Sequence, residues 1–229
     1  MKLKWFFIFV FFSTLAPAQV FEAGVFVGGS NAISDLGPSW YINPNSEAYG
    51  ALFKWNKSLR YTWRISTTHT QLIMDDAASN IPARAKRGYR NETRLRDFTA
   101  GLEVNFNSFE LHRFNASWTP YIFTGVSYYQ YKSSFYKGDL VGFYPLGVKY
   151  NFALPLIVGV KYKIAKYFVA ALETGVRYSF NDNLDGSHPI GPGYESYAFG
   201  NTASNDWYVF SGMTLTYTFG KKPCTQCYN

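Results

Sequence analysis

Apolar and polar residues alternate with period two along most of this chain, in runs longer than the strands of an ordinary globular sheet. The clearest run is NDWYVFSGMTLTYTFG. Trp207, Val209, Met213, Leu215, Tyr217 and Phe219 fall on one face, and Asp206, Gly212, Thr214, Thr216 and Thr218 on the other. In YFVAALETGVRYSF, Phe168, Ala170, Leu172, Val176, Tyr178 and Phe180 oppose Glu173, Gly175, Arg177 and Ser179. Aromatic residues sit near both ends of the apolar face, where their amphipathic rings suit the two interfaces of a bilayer.

The pattern predicts eight strands, over residues 20–30, 47–56, 60–73, 95–106, 119–132, 150–164, 167–181 and 205–219. An even number closes an antiparallel barrel. Short connections at 56–59 and 165–166 alternate with long ones at 31–46, 74–94, 133–149 and 182–204; only 107–118 is long for the short set. The expected fold is therefore all-β, an eight-stranded antiparallel transmembrane barrel of the outer-membrane type. Its long loops would be extracellular and both termini periplasmic. The alternation of Leu215, Tyr217 and Phe219 also resembles the recognition strand of such barrels. A soluble sandwich or lipocalin-like barrel would alternate too. Pro155 inside a run, and Thr67 and His69 on the lipid-facing side, speak for that alternative. The length of the runs and the scarcity of charge on their apolar faces speak for the membrane.

Composition agrees, with 20% aromatic and 16% charged residues. At the start, Lys2 and Lys4 precede the apolar run WFFIFVFFSTL and then Ala16, Pro17 and Ala18, the pattern of a secretory signal peptide. Residues 1–18 are the expected leader, 19–219 the barrel and 220–229 a periplasmic tail. The formal charge of +7 falls to +5 without the two leader lysines, too mild a balance to indicate nucleic acid.

Parity places Glu22, Lys54, Arg64, Glu103, Lys161, Glu173 and Arg177 in the lumen. Eight strands leave an interior that side chains fill, so these charges are expected to pair as a stopper without a mechanism of their own. His69, His112 and His188 fall on a strand, a periplasmic connection and an extracellular loop, which assembles no catalytic triad and no metal site. His188 with a loop serine and Asp185 is the sparse remainder for an enzyme. No cofactor is implied. NDNLDG, residues 181–186, copies the first half of a calcium loop, but its twelfth position is Pro192 instead of a bidentate glutamate. A tight turn at the membrane surface is the expected reading. The stretch PARAKRGYRNETRLR concentrates Arg84, Lys86, Arg87, Arg90, Arg94 and Arg96, a cluster suited to lipopolysaccharide phosphates, an acidic partner, or solvent alone.

Particular stretches carry a family likeness: VFVGGSNAISDLGP, YINPNSEAYGALFKWNKS, KRGYR, FTAGLEVNF, NFALPLIVGVKYKI, DNLDGS and SNDWYVFSGMTLTYTFGKKPC. Together they resemble the PorG-like outer-membrane components of the Bacteroidetes type IX secretion system. The resemblance implies a structural barrel of a secretion and gliding machine. Its partner would be the periplasmic ring of PorK-type lipoprotein and PorN-type subunits, and it implies neither catalysis nor the translocation pore. A barrel enzyme acting on envelope lipid and a surface adhesin are the rival functions. For an anchor, function lies in the periplasmic end. There Phe109, Leu111 and Phe114 of the 107–118 connection give more apolar surface than a turn needs, and are expected to form a docking patch. Lys221 and Lys222 precede Cys224 and Cys227, the only cysteines. In an oxidising compartment the two thiols could close on each other or tether the tail to a ring subunit; the tether is the favoured expectation.

Overall fold

The structure, a computed structural model, describes residues 20–111, 117–138, 142–189, 191–201 and 204–220. The leader, His112, Phe114, and the tail with Lys221, Lys222, Cys224 and Cys227 lie outside the described residues. The strands are β1 Val20–Ile33, β2 Ser46–Asn56, β3 Tyr61–Asp75, β4 Arg90–Asn105, β5 Trp118–Tyr136, β6 Phe143–Ala165, β7 Phe168–Ser179 and β8 Trp207–Phe219. Each pairs antiparallel with its neighbours in sequence, and β1 closes on β8 from Phe21↔Phe219 to Ile33↔Trp207. The result is a closed all-β barrel. The end where β1 begins and β8 finishes is termed the terminal end, and the opposite one the loop end.

The alternation dictates which face each side chain takes. Val25, Ile65, Val126, Leu156, Leu172 and Met213 are exposed on the outer wall. Above them stand Tyr49, Phe98, Tyr128, Tyr150 and Phe180, and below them Trp63, Phe106, Trp118, Tyr162 and Phe219. Tyr150 and Tyr162 on β6 are separated by about 28 Å along the axis, at about 3.3 Å per residue and about 45° of tilt. That spacing matches the apolar thickness of a bilayer. Val209 has outward parity yet is buried. The connection after β1 folds down beside it, so that Tyr41 and Ile42 share its groove. Asn31 fixes this strap, donating to the carbonyls of Trp40 and Tyr41 and accepting from Asn43 N at 3.2 Å.

Three boundaries differ from the alternation-based expectation by four residues or more. β4 begins at Arg90, five residues early. β5 and β6 run on to Tyr136 and Phe143, so the expected long loop 133–149 is instead a tall hairpin. Cross-strand rings hold it up: Phe135 packs 5.8 Å from Tyr144, and Tyr136 5.4 Å from Phe143. Pro145 and Gly147 suggest a loop in sequence, but this part of β6 pairs only with β5, and an edge tolerates proline. Pro155 also finds a place, since β5–β6 pairing breaks between Thr124↔Leu156 and Ser127↔Ala153. Thr124 Oγ1 donates to the Pro155 carbonyl there at 3.0 Å.

Candidate functional site

The lumen holds all seven side chains that parity assigned to it, each buried. Arg64 and Glu173 form a two-pronged pair, Nη1 to Oε2 and Nη2 to Oε1, both 2.7 Å, the geometry in which a guanidinium matches a carboxylate best. Tyr121 donates to the same carboxylate at 2.5 Å. Glu103 is gripped by Lys161 at 2.6 Å and Lys54 at 2.8 Å, with Arg64 at 3.9 Å. Glu22 accepts from Asn56 at 2.8 Å and Thr216 at 2.6 Å. With every lumen carboxylate held by donors, the desolvation cost of these charges is offset in place.

Two glycine pairs give this network room. Arg64 stands across from Gly101, itself opposite Gly125, and Glu173 stands across from Gly212, itself opposite Gly28. A Cβ on Gly101 would meet the Gly125 Cα at 2.7 Å, and one on Gly28 the Gly212 Cα at 2.6 Å. Small residues beside each long one are how a narrow barrel accommodates bulk.

Arg177 belongs to a separate layer. It reaches neither Glu173 nor Glu103: its Nε lies 3.7 Å from Asp97 Oδ2, and its guanidinium stacks 4.2 Å over Phe210. Tyr208 donates to Asp97 at 2.6 Å. Glu173 is instead satisfied by Arg64, which crosses the lumen from β3.

The loop end is stoppered. NDNLDG was expected to be a surface turn, and the structure corrects this, because the segment dips into the mouth. Leu184 is buried among Leu36, Leu72, Leu95, Tyr131 and Tyr208. Asn181 and Asn183 donate to Tyr131 Oη at 2.7 Å and Ser133 Oγ at 2.9 Å. Asp185 accepts from the backbone N–H groups of Asp35 at 2.9 Å and Ser187 at 2.8 Å, while Asp206 accepts from Leu184 N at 2.7 Å. Burial raises the pKa of all three cap acids Asp182, Asp185 and Asp206; Asp182, repelled also by Asp185 and Asp35, reaches about 6. Its neighbour His188 is 3.9 Å away through Nδ1.

The basic run splits on folding. PARAKR becomes the helical turn Pro82–Arg87, stopped by Gly88 at φ 68°. Arg84 and Arg87 turn back onto the cap, Arg84 to the carbonyl of Ser34 at 2.8 Å and Arg87 to Asp76 at 2.6 Å. Arg90 pairs with Asp75 at 2.9 Å and Glu92 at 2.8 Å. Arg94 and Arg96 alone continue along the exposed outer face of β4.

At the terminal end the described part of the 107–118 connection packs into the mouth, which corrects the expected exposure of Phe109 and Leu111. Phe109 and Leu111 are 3% and 7% exposed, packed with Val20 and Val169 under the rim. Lys161 lies 5.0 Å from the Phe109 ring, and Lys163 Nζ donates to the Leu111 carbonyl at 2.5 Å. The 107–111 segment packs inward because the mouth offers apolar contacts and buried cations that water does not. What this end leaves exposed is its turns, with Lys57, Leu59 and Arg60 on one and Lys166 and Tyr167 on the other.

A family model described as a domain of unknown function, DUF6089, matches residues 1–229. The chain belongs to the DUF6089 family. No curated protein matches it. Among solved structures, the attachment invasion locus protein Ail of Yersinia pestis is similar at 12% identity and a TM-score of 0.44, over 90% of this chain and 100% of that one. Neisserial surface protein A is similar at 10% identity and 0.46, over 88% and 96%. The outer membrane protein OprG of Pseudomonas aeruginosa is similar at 13% identity and 0.41, over 89% and 96%.

In this DUF6089 barrel the sequence reading missed Asp97 and Lys163, both 1% exposed. Their positions carried a signal, since Asp97 shares the parity of Glu103, and Lys163 that of Lys161. Asp206 carried the same signal, sharing the inward parity of Thr214 and Thr216, whereas Asp76 and Asp185, buried in the cap of the DUF6089 chain, carried none, because a loop acid reads as solvated until its partners are known.

Proposed function

We propose that this DUF6089 protein is an outer-membrane structural anchor of the type IX secretion and gliding machinery. It would hold position in the membrane and dock by its periplasmic end to the ring of PorK-type and PorN-type subunits. The observation that carries this reading is a lumen filled by interlocked side chains and stoppered at both ends, which leaves the wall and the exposed ends to do the work. The motif resemblance supplies the machine. With Phe109 and Leu111 turned inward, docking falls to the turns around Leu59 and Tyr167 and to the tail bearing Lys221, Lys222, Cys224 and Cys227.

The test is affinity purification of the tagged chain from gently solubilised envelopes, beside a clean deletion strain. The expected result is co-purification of the two ring subunits, with the deletion blocking export of proteins that bear the system's C-terminal sorting signal. A barrel that purifies alone from a host whose deletion strain secretes normally would remove the proposal.

A further inference from the structure

On the outer wall at the loop end, Arg94 and Arg96 are two exposed cations without a salt bridge among the described residues. Arg94 and Arg96 stand on β4, with Gln71 opposite Arg94, His69 opposite Arg96, and Tyr49 opposite His69. The intervening Leu95 and Asp97 are buried in the lumen, so both arginines point outward. With Ile73 these side chains line a crevice of about 600 Å³. The Tyr49 ring stacks on His69 at 5.9 Å and 26°, which stiffens one wall.

These two arginines differ from the other arginines of the basic run. Arg84, Arg87 and Arg90 are each engaged by a carboxylate, and Glu92, the acid nearest the crevice on β4, is held by Arg90 at 2.8 Å and by Gln71 at 2.7 Å. Among the described residues no carboxylate lies within salt-bridge distance of Arg94 or Arg96. Glu47 borders the crevice at its far side. Two arginines spaced i, i+2 on one strand face have Cα atoms about 7 Å apart, close enough for both side chains to reach a single phosphorylated headgroup.

Depth identifies the occupant. Phe98 is the next outward residue below Arg96 and stands beside Tyr128 in the upper aromatic belt. Aromatic belts mark the boundary between acyl chains and headgroups, so Arg96 and Arg94 rise through the layer where lipid phosphates lie. A soluble acidic partner would have to reach past the headgroups to touch Arg96, whereas a lipid is already there.

We propose that the crevice formed by Arg94, Arg96, His69 and Gln71 binds the phosphate-bearing headgroup of a membrane lipid, its acyl chains lying along the wall below Phe98. The guanidinium groups supply charge-assisted hydrogen bonds to the phosphate oxygens. This inference rests on the membrane-spanning barrel and is independent of the anchoring role.

Native mass spectrometry of the purified full chain tests it, with bisphosphorylated lipid A, the same lipid stripped of its phosphates, and inorganic phosphate as a competitor. The wild-type barrel should retain the phosphorylated lipid, and Arg94→Gln with Arg96→Gln should weaken that binding about 10-fold or more, the loss of one or two charge-assisted bonds. Lys57→Gln with Lys166→Gln, which removes equal charge from the exposed turns of the opposite end, should leave it unchanged. Arg94→Gln alone, at an exposed position, serves as a second variant whose folding is not in question. Equal binding by wild type and the arginine variants, or equal binding of the stripped lipid, would overturn the proposal. Displacement by inorganic phosphate at millimolar concentration would overturn the lipid assignment in favour of a free-phosphate site.

Discussion

Arg64 on β3 and Glu173 on β7 meet across the lumen with both guanidinium nitrogens 2.7 Å from the carboxylate oxygens. The strands that carry them are not neighbours, so the pair ties opposite walls of the barrel together. Arg64→Ala would leave Glu173 buried with only Tyr121, and would weaken the field around Glu103. A loss of about 3–5 kcal/mol is expected, the cost of stranding one member of a buried pair. Removing both charges with Arg64→Met and Glu173→Leu should recover most of it. Denaturant midpoints of the barrel in lipid vesicles check both, and an unchanged midpoint in Arg64→Ala would show that the pair contributes nothing.

Gly101 and Gly125 face each other across β4 and β5, and a Cβ on Gly101 would lie 2.2 Å from the Thr124 carbonyl oxygen. Gly101→Val should therefore overpack the wall beside Arg64 and destabilise by about 1–3 kcal/mol. Ala100→Val, on the exposed outer face, should be near neutral in the same unfolding assay. Equal effects of the two would mean that close packing at Gly101 is not what the glycine provides.

The strand faces were legible because period two leaves each residue one of two sides, and that parity placed Glu22, Lys54, Arg64, Glu103, Lys161, Glu173 and Arg177 inward. Partner choice was not legible. Which cation meets Glu173 depends on how far each strand is sheared past its neighbours, and single-strand periodicity says nothing of that. The loops were least legible of all. Asp185 accepts from Asp35 and Leu36, some 150 residues away, so the descent of NDNLDG into the mouth is a tertiary event that turn chemistry cannot announce. Phe109 and Leu111 show the same limit, because apolar residues in a connection look alike whether they meet a partner or their own barrel rim.

The cap should loosen as pH rises. Burial, with repulsion from Asp185 and Asp35, raises Asp182 to about 6, and Asp185 and Asp206 are raised as well. The folded cap thus holds protons that an unfolded carboxylate releases near pH 4. Its contribution is full below about pH 4 and declines as pH climbs through the folded pKa, about 6 for Asp182. Hydrogen exchange in residues 182–187, corrected for intrinsic rate, should show more protection at pH 5 than at pH 8. Protection that increases with pH would contradict this.

Cys224 and Cys227 follow the last strand by a few residues, and the proposed tether makes them available to a ring subunit. Non-reducing gels of whole envelopes should show a larger species that collapses on reduction and vanishes in Cys224→Ser with Cys227→Ser, whose secretion should weaken. Normal secretion by that strain with no mixed disulfide would leave the anchor without its covalent link.

The barrel's closure is tested most directly by its conductance. Purified and reconstituted into planar bilayers, the full chain should give no stable current steps, because Glu103, Lys161, Arg64 and Glu173 fill the lumen and the segments around Leu184 and Leu111 close its ends. Reproducible, long-lived steps from the wild-type protein would mean an open path through the barrel, and would contradict a structural anchor in favour of a channel.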